Sequence, residues 1–134
     1  MSTHSERKEW GEYFLQLTVI ATAAIGGSFL FAPHAIPGIF SQDYVEPIAR
    51  FYLQFLGATM FGYSIMNAYA LNYYADKRLR LAITTVNICS LSMGLALSVY
   101  GAVTGVLSNL VWVFVAEHLI FLIGFILLFR ATRK

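Results

Sequence analysis

Glu117 and His118 stand side by side in the last apolar stretch of the chain, residues 110–129, which holds no other charged side chain. A carboxyl and an imidazole are the groups most often used to take up and deliver protons near neutral pH. An ionisable group at membrane depth is costly, so it is expected to be paired or at work on an ion or ligand. Three readings stay open for Glu117. A buried acid satisfied by an arginine or an amide can fix helix register, the carboxylate can handle a proton, ion or ligand, or it can lie at an interface with another subunit.

Counted from its end of the stretch, Glu117 lies about eight residues in, roughly 12 Å at the helical rise. Candidate partners come from residues 48–73, where Arg50, Gln54, Gly57, Phe61 and Ser64 share one helical face. Gln54 matches Glu117 in depth, and the long Arg50 side chain can reach inward or snorkel to the headgroups. A polar cluster of Glu117, Gln54 and Arg50 is therefore expected. His118 is turned roughly 100° around the helix from Glu117, so the two are not expected to converge on one ligand. It is read as a hydrogen-bonded histidine or as a separate ligand contact. The other histidines, His4 and His34, sit in the N-terminal tail and near the opposite surface, which makes a bis-histidine haem site within one chain a poor fit. Cys89, the single cysteine, lies in an apolar run and reads as a buried structural thiol.

Other chemistry is missing from the pattern. No Gly-rich phosphate loop, His-Glu-x-x-His, cysteine pair or nucleophile elbow occurs. No metal site, cofactor or catalytic residue is expected. A net charge of +2, spread along the chain, gives no basis for nucleic-acid binding.

These residues must be positioned by membrane helices. The chain has 134 residues, 58% of them hydrophobic and 12% charged, a balance far from that of soluble domains. Four segments, about 13–31, 48–73, 81–100 and 110–129, have the length of a spanning helix, about 20 residues. The expected fold is all-α: one polytopic membrane domain over 1–134, an antiparallel bundle of four transmembrane helices. Arg7 and Lys8, the group Lys77, Arg78 and Arg80, and the group Arg130, Arg133 and Lys134 fall on one side of such a bundle. The positive-inside rule then places both termini in the cytoplasm, in the cell (inner) membrane. Trp10, Tyr13, Tyr73 and Tyr74 would anchor the inner boundary, with Tyr100 and Trp112 near the outer one.

All three prolines, Pro33, Pro37 and Pro47, lie in the outer loop 32–47, whose apolar piece 35–40 is expected at the membrane surface. Glu46 stands four residues before Arg50, the spacing of a local ion pair. Small residues four apart mark expected helix contacts: Ala23 and Gly27, Ala24 and Ser28, Ala58 and Gly62, and the row Ser90, Gly94, Ser98.

The proline-containing stretch 32–40, the arginine opening the second span in Ala49-Arg50-Phe51, Gly57 and Gly62, and the basic hairpin 76–80 together resemble the DoxX-like four-helix membrane proteins. The resemblance implies the four-helix architecture and an outer-half arginine at Arg50. Some members of that group are described as small subunits of quinone-linked redox enzymes, but the resemblance carries no reaction to this chain. The expected function is an accessory, structural or assembly subunit of a larger membrane complex, in contact with the lipid bilayer and with other subunits or copies of itself. The alternatives are a homo-oligomeric channel or transporter using Glu117, or a subunit that binds a quinone, a haem or a lipid.

Overall fold

The computed structural model describes residues 4–33, 47–105, 109 and 111–133, with side chains placed from Trp10 in the first helix and from Arg50 in the second. These residues are helical apart from short turns. The order is α1 (His4–Phe31), α2 (Pro47–Asn72), α3 (Lys77–Val103) and α4 (Val111–Arg133). Pro37, residues 35–40, Asp43, Glu46 and His34 lie outside the described residues.

Local chemistry sets the helix ends. Pro47 opens α2, where its missing N–H leaves no bond unmade. Asp76 caps α3, its carboxylate accepting from the amides of Arg78 at 2.8 Å and Leu79 at 3.1 Å. After α3 the chain turns at Gly105 with φ +70°, a left-handed conformation that favours glycine. Arg130 and Arg133 sit in the last turn of α4, where cations complement the helix dipole.

Three helices are long and apolar enough to cross a membrane: Trp10–Phe31 in α1, and α3 and α4 over their full lengths. Four such spans were expected, and α2 falls short on polarity rather than on length. Several of its polar residues bond the neighbouring helices. Gln54 Nε2 donates to the Leu30 carbonyl at 3.3 Å, and Ser64 Oγ donates to that of Val19 at 2.9 Å. Tyr63 Oη and Ser90 Oγ share a hydrogen bond of 2.5 Å. Asn67 and Asn87 exchange amide bonds at 3.3 and 2.9 Å, and each also donates to a carbonyl of its own helix. Both asparagines are buried.

The helices associate mainly in two pairs, α1 with α2 and α3 with α4. At the first crossing the backbones themselves touch. A Cβ on Gly57 would lie 2.5 Å from the Leu30 nitrogen and 2.7 Å from the Gly26 oxygen, and one on Gly26 would lie 2.8 Å from the Phe61 nitrogen. Only glycine fits there. The sequence pattern had pointed to Gly27 and Gly62, but a Cβ on either would meet nothing within 4 Å. The 4-spacing was read one residue out of phase with the face in contact.

The two ends of the bundle differ in packing. The end near the turn between α2 and α3 is filled by Leu15, Ala70, Tyr74, Ile83, Phe125 and Leu128. Phe14 of α1 lies against Gly124 of α4 and edge-on to Phe125, with ring centres 5.0 Å apart. Arg80 fastens the same end: its guanidinium lies 4.5 Å over the Tyr74 ring, donates to the Tyr74 carbonyl and bonds Thr132 Oγ1 at 3.0 Å. Tyr74, expected to anchor at the membrane boundary, is instead buried beneath that arginine. Cys89, expected to be buried, is exposed on the bundle surface. At the opposite end the packed residues reduce to Phe29 and Leu53, supported by Ile25, Met60 and Phe114.

Candidate functional site

Between the filled end and the Phe29–Leu53 contact lies a cavity of about 350 Å³, walled by residues of all four helices. Its walls are mostly apolar, built from Phe29, Leu53, Met60, Leu91, Val111 and Phe114. The space exists because five further wall positions are small or short: Thr22, Thr59, Ser90, Gly94 and Ser98. Exposed Leu56 and Thr59 of α2 and Leu97 of α3 also line it, so its mouth lies between α2 and α3. Those two helices have few close backbone approaches.

Glu117 and His118 both border this cavity. The sequence reading sent them to separate faces, and the structure brings them together. Glu117 Oε2 lies 2.9 Å from His118 Nδ1, and the same nitrogen lies 2.7 Å from the Phe114 carbonyl oxygen. A carbonyl only accepts, so Nδ1 carries hydrogen and is shared between the carbonyl one turn back and the carboxylate. The two side chains meet despite the rotation of roughly 100° between neighbouring helical residues. The imidazole edge with Nε2 rests against Gly94 of α3, where a Cβ would collide with the ring. Gly94 thus makes room for His118, a different role from the helix contact that the spacing of Ser90, Gly94 and Ser98 suggested.

The other expected partners of Glu117 are elsewhere. Gln54 is committed to the Leu30 carbonyl of α1, and Arg50 is exposed. No hydrogen bond or ion pair joins either of them to Glu117. The reason is the Gly26–Gly57 crossing, which draws this part of α2 onto α1, while α4 is held by α3.

The hydrogen-bond inventory shows what the cavity offers a guest. Thr22 and Thr59 donate to carbonyls of their own helices, and Tyr63, Ser90 and Asn87 are paired as above. Ser98 and the second oxygen of Glu117 make no hydrogen bond among the described residues, and no lysine or arginine lines the space. Tyr63, Ser90 and Ser98 were not singled out from the sequence as site residues. The row Ser90, Gly94, Ser98 was the only signal for the two serines, and it is equally a packing signal.

Among the described residues no group of three or more metal-binding side chains occurs. No family model, curated protein or solved structure matches this chain.

Proposed function

We propose that this chain is an integral membrane protein, an antiparallel four-helix bundle that holds a small lipophilic molecule in the cavity beside Glu117 and His118. The cavity carries the reading. Ligand sites of about 300–1,000 Å³, largely apolar with a few convergent polar groups, are the usual form of a small-molecule pocket. The wall here has that composition, and its mouth between α2 and α3 suits a guest that arrives from the bilayer. Pairings such as Gly26 with Gly57 and Asn67 with Asn87 support the antiparallel arrangement, and the many exposed large apolar side chains support burial in lipid. The basic residues at the end bearing the termini support a cytoplasmic location for that end. Binding without a catalytic motif agrees with an accessory role beside other membrane subunits.

The test is to purify the protein in mild detergent, extract it with organic solvent and identify what is released by mass spectrometry. A lipophile near one per chain is expected. Release of detergent and bulk lipid alone would count against the proposal.

A further inference from the structure

We infer that the preferred guest of this cavity is a lipophilic cation, an organic ammonium with an apolar or aromatic body, and that Glu117 is the group that selects it. The inference rests on the cavity being a ligand site and adds the charge of the ligand. Three observations carry it. Among the described residues Glu117 is the only acid on the cavity wall, and no lysine or arginine lies there beside it. One of its oxygens is held by His118 Nδ1, and the other makes no hydrogen bond among the described residues. The same cavity is lined by aromatic rings, Phe29 and Phe114 with centres 6.2 Å apart, and Tyr63. Ring faces and a carboxylate both attract a weakly hydrated cation, and the attraction strengthens where water is excluded. An anionic guest would meet the carboxylate, which has only the His118 N–H beside it. A neutral guest would gain only the apolar walls.

His118 has a positioning role in this arrangement. Its Nδ1–H bridges the Phe114 carbonyl and the Glu117 carboxylate, and Gly94 supports the opposite edge of its ring, so the carboxylate is held at the wall before the guest arrives. Tyr63 is the remaining ionisable side chain on the wall. α1 contributes Thr22 there and α3 contributes Asn87, Ser90 and Ser98, none of which ionises.

The experiment compares two probes of the same shape, benzyltrimethylammonium and neopentylbenzene, which differ in a positive nitrogen against a neutral carbon. Binding is measured by calorimetry on the full chain in a non-ionic detergent. The wild type is expected to bind the cation about tenfold more tightly than the neutral probe, the scale of the attraction of a quaternary ammonium to aromatic rings and a carboxylate. Glu117→Gln should lose that preference while still binding neopentylbenzene, which shows the cavity intact. Glu117→Asp, which keeps the charge, should retain the preference. Equal affinity for the two probes on the wild type overturns the inference and leaves the lipophile site standing. A preference that survives Glu117→Gln, or is lost as fully in Glu117→Asp, also overturns it. If neither probe binds the wild type, the lipophile site itself is refuted together with the cation.

Discussion

At the scale of single residues, Gly94 and His118 form a steric pair. Replacing Gly94 with Ala places a methyl group where the imidazole lies, and overpacking of this kind typically costs about 1–3 kcal/mol. Thermal unfolding in detergent should show that loss for Gly94→Ala, and His118→Ala in the same chain should recover most of it, the signature of two coupled sites. Tyr74 gives a second prediction, at the filled end of the bundle. Burial raises its phenol above the usual value of 10.0, Arg80 pulls it down, and Glu12 adds to the rise. The folded state therefore holds the proton more tightly than the unfolded one. The stability this contributes is complete below about pH 10 and is lost as pH rises through the folded value. Melting temperature followed into alkali should fall less steeply for Tyr74→Phe than for the wild type.

At the scale of elements, α2 shows how a helix too polar to pass as a membrane span can be built into the bundle. Four of its polar side chains, Gln54, Tyr63, Ser64 and Asn67, are turned toward α1 and α3, where Leu30, Ser90, Val19 and Asn87 meet them. Side-chain hydrogen bonds between membrane helices contribute about 0.6 to 2 kcal/mol each. Asn87→Leu leaves the buried Asn67 amide without its partner and should lower stability by about 1–2 kcal/mol. Asn67→Leu combined with Asn87→Leu removes both polar groups and should cost less than the single change, as read from thermal unfolding. At the other α2 contact, Gly57→Leu cannot be accommodated by side-chain movement, because the obstruction is the backbone of Leu30 and Gly26. Loss of the folded bundle on size-exclusion chromatography is the expected result.

For the whole molecule, the sequence conveyed the architecture better than the site. Length and hydropathy foretold the four helices, because those signals are local. The phase of the α1–α2 crossing was not legible. Ala23, Gly27, Ala58 and Gly62 repeat every four residues as regularly as a contact would, while the contact itself is a single glycine on each helix. That one choice of face explains why Gln54 meets Leu30 and has no bond to Glu117. The cavity was hidden for a related reason. It is an absence of side-chain volume distributed over four helices, visible in the sequence only as Thr22, Thr59, Ser90, Gly94 and Ser98, each unremarkable alone. Glu117 and His118 were legible as chemistry, but their meeting depends on side-chain torsions that helical spacing does not specify.

Those small residues also provide the most direct test of the central claim, that the cavity is a binding site. Ser98 lines the space and makes no hydrogen bond among the described residues, so Ser98→Trp can fill the cavity without breaking a contact; Leu97→Trp, at the mouth, serves as a second blocking variant. The measurement is calorimetric binding of neopentylbenzene to the wild type and to both variants, with helical content checked by circular dichroism. Saturable one-to-one binding to the wild type, abolished or weakened at least about tenfold in a folded blocking variant, is the predicted result. Equal binding to the wild type and to the folded variants would contradict it.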